Sequence, residues 1–409
     1  MLRTDEELGE ERKLKEKLEQ KSEGKRGQEY GQEGRNRQEK DQMPENKKES
    51  GRMKRANLVW LLLPVLLLLI IWNIGLQRKL GQTRPEMEVY LPQELYVAVG
   101  STMELYNSQV VICGLEGAYI LNWSCEIGQN RKDCFHVEGK EEQLGDYPLI
   151  LEIRDWNGEL VRQLSSSLHV VDNKLDREYS ILNIGDSLSN GREWYRDVFY
   201  LSDGKVTFTG TRGWTKYSHE GRSGFSPQDY LRETEYSFED EGVHPFYDPA
   251  QQMFDWNYYK LSTGIDPDVI QIFLGVNGLK DDPTDSIDAI AQMVNSIRKY
   301  DQEIPIYIVN TPYLGDQDHL GRMELPDGTP WFQGEYKLLM DRRILHLMEG
   351  LSRKLGNYSH VNFIPLALMH DSAHNFDEDE ALHPNAEGYK QFADSMYSVY
   401  CGTLKLQLP

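Results

Sequence analysis

Three patterns in this 409-residue sequence predict its fold class. From Tyr179 onward, apolar strand-like runs alternate with helical patterns. This predicts a three-layer α/β/α domain around a sheet of about five parallel strands. Ahead of it, about seven short β-rich runs within residues 88–173 predict a small all-β sandwich. Further upstream, the 22 residues from Ala56 to Gln77 carry no charge, which predicts a single transmembrane helix.

Residues 1–55 are rich in Glu, Lys, Gln, Arg and Gly and nearly free of apolar side chains. Such a tail cannot bury enough apolar surface to offset its ordering entropy, so it is expected to be disordered. A partial helix in EELGEERKLKEKLEQK would be supported by Glu and Lys at four-residue spacing. The expected span, 56–77, tolerates Pro64 and has Trp60 and Trp72 near its ends, where amphipathic rings prefer to lie. No small-residue cleavage site follows it, and 55 residues make an unusual leader, which argues against a removed signal peptide. Lys47, Lys48, Arg52, Lys54 and Arg55 outweigh Arg78, Lys79 and Arg84 on the far side. The N-terminus is therefore expected to be cytoplasmic and the rest, after a linker at 78–87, to face outward.

Charge bounds the partners. Residues 1–55 hold 16 Lys and Arg against 14 Asp and Glu, a net of +2, whereas the remainder holds 29 against 52, a net of −23. An acidic body of that size argues against nucleic acid and against docking on anionic lipid. The four cysteines, Cys113, Cys125, Cys134 and Cys401, show neither metal spacing nor a disulfide framework. A Cys125–Cys134 bridge is an option in an oxidising compartment, and the pairing of Cys113, Cys125 and Cys134 stays open.

Within 88–173 the runs LYVAV, MELYN, QVVICG and AYILNWSC are short and separated by turn residues. In YPLILEIRDWNGELVRQLSSSLHVV, Tyr147, Leu149, Leu151 and Ile153 alternate, and Asn157–Gly158 marks a hairpin. This module resembles bacterial immunoglobulin-like modules, and its expected role is a spacer rather than a carbohydrate binder. Within 179–403 the strands are SILNIG, KVTFTG, DVIQIFLG, PIYIVNT and VNFIPLA. Tyr336, Met340, Ile344, Leu347, Leu351 and Leu355 recur at helical steps, with Gly356 as the stop.

Chemistry-bearing residues cluster at expected strand carboxyl ends, where ligands of such sheets bind. In NIGDSLSNG, Ser187 follows the first strand and is expected to open a helix, close to free backbone N–H groups; a simple helix cap is the bland alternative. In HEGRSGFS, Gly221 and Gly224 permit close backbone approach. In FLGVNG, Asn277 can offer a side-chain amide, or merely make a turn. His370 and His374 flank Asp371 but lack further ligand spacing, so no metal site is expected and both read as loop histidines. The aromatic stretch HPFYDPAQQMFDWNYYK, 244–260, reads equally well as a wall of the substrate cleft or as a self-packed loop.

With ALHPN near the C-terminus, these stretches resemble, in chain order, the four sequence blocks of the SGNH (GDSL-like) hydrolases, a family with a flavodoxin-like sheet. The resemblance covers about residues 179–402. It implies Ser187 as nucleophile, Gly224 N–H (Gly221 less so) and Asn277 as oxyanion donors, His383 as general base, and no metal or cofactor. Two positions depart from the family pattern. Gly278 follows Asn277 where an Asp is usual, which bears on loop rigidity. Glu380 stands three residues before His383 where the family places Asp. Of the carboxylates in FDEDEALHPN, Glu380 has the offset to reach the imidazole, whereas Asp377 and Asp379 should point elsewhere and Glu378 has no positional claim. A Ser–His dyad held by a backbone carbonyl is the rival arrangement. The resemblance implies a serine ester hydrolase working through an acyl-enzyme on an acylated small molecule or glycan. Together with the expected membrane anchor and outward-facing domain, this points foremost to a carbohydrate or cell-envelope O-acetylesterase. O-acetyl transfer would use the same residues. A rival of another class is a non-catalytic surface binding or adhesion protein, favoured by Gly278 and Glu380.

Overall fold

A computed structural model describes residues 64–73, 84–115, 117–236, 242–279, 282–316, 336–378 and 380–407. The tail 1–55 and both ends of the expected span lie outside these residues. Residues 64–73 are helical, and among the described residues no helix is long and apolar enough to cross a membrane. Residues 84–409 form a separate compact unit.

That unit opens earlier than the expected boundary at 88. Arg84 already donates to Asp155 and Glu159, at 3.2 and 2.6 Å, and β1 (Met87–Val89) pairs with β4 (Val111–Cys113). The β module contains β2 (Glu94–Ala98), β3 (Thr102–Tyr106), β5 (Tyr119–Ser124), β6 (Gln129–Asn130), β7 (Cys134–Glu138), β8 (Gly145–Asp155) and β9 (Leu160–Val171). Its larger sheet runs β2-β9-β8-β5 and its smaller β3-β7-β6, and Trp123 of one stacks on Phe135 of the other. The hairpin expected at Asn157–Gly158 joins β8 to β9. The four cysteines are free thiols, so Cys125 and Cys134 are not bridged.

The α/β part is built on β10 (Tyr179–Gly185), β11 (Val206–Thr209), the short β12 (Glu220–Gly221), β17 (Val269–Phe273), β18 (Ile306–Val309) and β19 (Val361–Ile364). Between β12 and β17 lie two small hairpins, β13 (Glu235–Tyr236) with β14 (Gly242–Val243), and β15 (Tyr247–Asp248) with β16 (Met253–Phe254). The parallel sheet runs β11-β10-β17-β18-β19, with β12 also on β10. Its central strands are buried along their length, as strands covered on both faces must be, hence their unbroken apolar runs. Two central polar residues are satisfied by each other and by tyrosines of the covering helices. Gln271 Nε2 donates to Asn183 Oδ1 at 2.8 Å, and Asn183 Nδ2 to Tyr195 Oη at 2.9 Å. Because the chain runs outward from β10 to β11 and then returns to β17, the sheet changes direction at β10 and β17. The carboxyl ends of those two strands form the crevice in which such sheets bind ligands.

Helices α1 (Trp194–Leu201), α2 (Trp256–Thr263), α3 (Pro283–Tyr300), α4 (Tyr336–Leu355) and α5 (Ala386–Gln407) cover the sheet. The periodic face expected for α4 is buried at Met340, Ile344, Leu347, Leu351 and Leu355. Helix α5 is buried nearly all round, a pattern of helices enclosed on every side. Tyr400 hydrogen-bonds Gln271 of the sheet, while Ser398 Oγ accepts Ala98 N–H of β2 at 3.0 Å. Gln109 Nε2 likewise donates to His370 O at 2.6 Å and lies 2.9 Å from Ser372 Oγ. The β module thus shares one apolar core with the α/β part.

Candidate active site

Strand register brings the site together. Gly185 of β10 faces Phe273 of β17 on one side and Gly221 of β12 on the other. The segments carrying Ser187, Gly224 and Asn277 therefore leave the sheet at adjacent points. Ser187 is 7% exposed and does not open a helix. It lies in a turn closed by Ser189 N–H to Asp186 O at 3.1 Å, and α1 starts only at Trp194 because Asn190–Gly191 continue the loop, with Gly191 at φ 67°. Two side chains not singled out from sequence lock this turn. Arg192 Nε donates to Ser187 O at 2.7 Å, and Trp194 Nε1 donates to Leu188 O at 2.9 Å. Asp186 is buried beneath, its Oδ1 accepting Leu188 N–H at 2.9 Å. Burial raises its pKa to about 7 against the pull of that N–H and of Arg192.

His383 reaches Ser187 from the loop before α5. Its Nε2 lies 2.9 Å from Ser187 Oγ, and its Nδ1 lies 3.0 Å from Glu380 Oε2. The other carboxylate oxygen, Oε1, accepts the N–H groups of Ala381 and Leu382 at 3.0 and 2.8 Å. Burial alone would raise the Glu380 carboxyl, but the His383 hydrogen bond and the Leu382 N–H outweigh it and bring the pKa to about 2. The carboxylate is thus ionised and aimed by its own backbone. Glu380 occupies the place a backbone carbonyl would take in a dyad. Asp377 is exposed, and Asp379 lies outside the described residues.

The two expected oxyanion donors are held by one short turn. Phe225 N–H bonds to Arg222 O at 3.1 Å with Gly224 between them at φ 83°, the pattern of a type II turn that calls for glycine at its third position. Asn277 Nδ2 donates to Phe225 O at 3.0 Å. A carbonyl partner fixes the amide with nitrogen on that side and leaves its second N–H to point elsewhere. Gly221 is committed: its N–H lies 3.1 Å from His219 Nδ1. Burial, then Arg212 and Arg222, lowers His219 to about 3, so that imidazole is neutral.

The departure at Gly278 has a packing reason. A Cβ there would lie 2.2 Å from Ser286 Oγ of α3. The loop is held instead by Arg343 Nη1 donating to Leu279 O at 2.6 Å. Glu220 is wholly buried yet fully paired, by Arg222 at 2.9 Å, Thr211 N–H at 2.7 Å and Tyr259 Oη at 2.9 Å. It ties the loops after β11 and β12 to α2. The aromatic stretch 244–260 is self-packed, with Phe246 stacked on Tyr259 and Phe254 at 4.2 and 5.1 Å. His370 lies in a loop, as expected, but is wholly buried there, set edge-on to Phe376 and Phe392 and lowered to about 3 chiefly by burial. His374 pairs with Asp371 at 3.0 Å. No group of three or more metal-ligating side chains occurs among the described residues.

A cavity of about 430 Å³ lies beside the nucleophile turn, lined by Asn190, Gly191, Arg192 and Glu193 on one side and by the loop Arg212–His219 on the other. It borders Ser187 through Arg192 without including it.

Residues 184–391, half of the chain, match the family model described as GDSL-like lipase/acylhydrolase. Several solved structures are similar at low identity. A carbohydrate esterase family 3 protein from Talaromyces cellulolyticus is 16% identical, covering 56% of this chain and 98% of its own, with TM-score 0.39. A family 3 carbohydrate esterase from Clostridium thermocellum is 17% identical, with the same coverages and TM-score 0.36. A lipase/acylhydrolase from Enterococcus faecalis is 14% identical, covering 55% and 96%, with TM-score 0.34. No curated protein matches. The match across half its length shows that this chain belongs to the GDSL-like lipase/acylhydrolase family and is a serine ester hydrolase.

Proposed function

We propose that the protein is an O-acetylesterase acting on carbohydrate or cell-envelope polymers. In this reading it is held outside the cell by the span 56–77, with its N-terminus in the cytoplasm. The observation that carries the catalytic part is the continuous hydrogen-bond relay from Ser187 through His383 to Glu380. His383 Nε2 takes the Ser187 proton as Oγ attacks the ester carbonyl. The oxyanion of the tetrahedral intermediate is met by Gly224 N–H, Asn277 Nδ2 and Ser187 N–H, donors held in place before substrate arrives. The C–O bond then breaks as His383 returns the proton to the leaving alkoxide. Water, activated by the same imidazole, releases the acid from the acyl-enzyme. Glu380 stays ionised throughout and balances the imidazolium.

Support for a hydroxylated alcohol comes from the cavity beside the nucleophile, whose lining of Asn, Arg, Glu, Trp and Tyr suits a sugar better than an acyl chain. The β module, read as an immunoglobulin-like element, then serves to present the hydrolase. Two measurements test the proposal. Acetate release from acetylated glycans by residues 80–409 should vanish in Ser187→Ala. Protease added to intact cells should remove the C-terminal part and spare an N-terminal tag. Acetate release independent of Ser187 would overturn the chemistry, and protection of the C-terminal part would overturn the topology.

A further inference from the structure

The loop between β11 and β12 displays an unusual surface for so acidic a protein. Its base is clamped by two backbone hydrogen bonds, Arg212 N–H to His219 O at 3.1 Å and His219 N–H to Arg212 O at 2.9 Å. A further turn, Tyr217 N–H to Trp214 O at 2.9 Å, closes the tip. The clamp is packed in turn. Arg212 lies over the Tyr236 ring at 4.5 Å and donates to Asn190 Oδ1 at 3.3 Å. His219 stacks on Tyr195 at 5.4 Å. On this rigid tip Trp214 is 82% exposed, and it forms one wall of the 430 Å³ cavity.

The charge of that cavity is inverted relative to the protein. Arg192, Arg196 and Arg212 line it against Glu193 alone, although the whole chain carries −21. Arg192 uses Nε on Ser187 O, its guanidinium sits over the Tyr389 ring at 5.6 Å, and the residue lines the cavity. Arg196 leans on Asp197 through Nε at 3.5 Å. A fixed, exposed indole suits the apolar face of a sugar ring, and guanidinium groups with planar donor forks suit carboxylate or phosphate.

Resting on the esterase reading above, we infer that the cavity is a subsite for an anionic saccharide unit next to the acetylated one. Trp214 stacks on the ring, and Arg192 and Arg196 pair with its negative group. The enzyme thereby selects acetylated acidic glycans over neutral ones.

The test compares kcat/KM on three probes in low salt: an O-acetylated polyuronate, the same polymer after reduction of its carboxylates, and an acetylated phosphodiester-linked glycan. p-Nitrophenyl acetate serves as the small reference ester. The polyuronate or the phosphodiester polymer should exceed the neutral polymer by about tenfold or more, the scale of a charge-assisted hydrogen bond, and which of the two leads names the anion. The preference should shrink as salt rises. Arg196→Gln should reduce it several-fold, and Trp214→Ala should raise KM for the polymers relative to the reference ester. Both side chains are exposed, so neither variant threatens folding. Equal rates on charged and neutral polymers would overturn this inference alone. Cleavage of the reference ester with no cleavage of any polymer would overturn the carbohydrate reading with it.

Discussion

Replacing Glu380 by Gln isolates the charge of the relay with little change of shape. In the native site Oε1 is held by two backbone N–H groups and Oε2 faces His383 Nδ1. A glutamine has only one oxygen to meet these three groups. If that oxygen keeps the backbone N–H groups, the amide –NH2 faces Nδ1 and forces the proton onto Nε2, which can then no longer accept the Ser187 proton. If the amide turns over, its –NH2 meets two N–H donors and both backbone bonds are lost. The resting site strongly favours the charged carboxyl, which the amide cannot replace. The carboxyl's pKa of about 2, against an ordinary 4.5, corresponds to roughly 3 kcal/mol in favour of the charged form. With the wrong tautomer favoured and the imidazolium unbalanced, kcat should fall by about two orders of magnitude or more. The assay is p-nitrophenyl acetate hydrolysis near pH 8, with circular dichroism to confirm folding. Glu380→Asp should retain part of the rate, and Asp377→Asn should stay within about threefold of wild type, since exposed charges are screened. Glu380→Gln within threefold of wild type would refute the argument. A large loss in Asp377→Asn alone would reassign the acid.

Ser187→Ala and His383→Ala should each abolish esterase activity, and the double variant should be little worse than either, because nucleophile and base act as one unit. Asp186 predicts a stability signature. Its folded pKa of about 7 lies above the unfolded value near 3.9, so the native state holds the extra proton. The associated stability is present below about pH 4 and is lost as pH rises through 7, by at most about 4 kcal/mol. The Tm of Asp186→Asn relative to wild type should therefore climb between pH 4 and 8, and a constant difference across that range would refute it. Gly278→Ala should cost on the order of 1 kcal/mol by displacing Ser286, and Ser286→Ala in the same chain should recover most of the loss. Additive effects of the two changes would show that this contact is not the cause.

Much of the fold was legible in the sequence because the central strands are covered on both faces and so are apolar along their length. The relay was legible for a different reason. Ser187, His383 and Glu380 are residue types that chemistry demands at set offsets, and Glu380 needs only one short turn to reach Nδ1. The supports of the site left no such trace. The Phe225 carbonyl that orients Asn277 is backbone, present at every residue. Arg192 gained its role only because Asn190–Gly191 delayed the helix expected at Ser187. Trp214 and the rings of 244–260 read alike as sequence, yet one is exposed and the others form a core. His370 is the loop residue it looked like, but the packing of Phe376 and Phe392 around it, which buries it, left no local trace.

The docking of the β module bears on how this protein could be inherited. Gln109 grips the carbonyl of His370, at the root of the loop that delivers His383, and Tyr313 Oη donates to Gln109 O at 3.0 Å. Tyr96 of β2 lies so close to Gly402 of α5 that a Cβ there would sit 2.3 Å from its ring. A gene rearrangement that moved the hydrolase without its β neighbour would strand one face of α5 in water and loosen the footing of the general base. Despite its bead-like sequence pattern, the module should not be exchangeable among lineages as a cassette. Its residues facing α5 and Gln109 should instead change in step with those of the hydrolase.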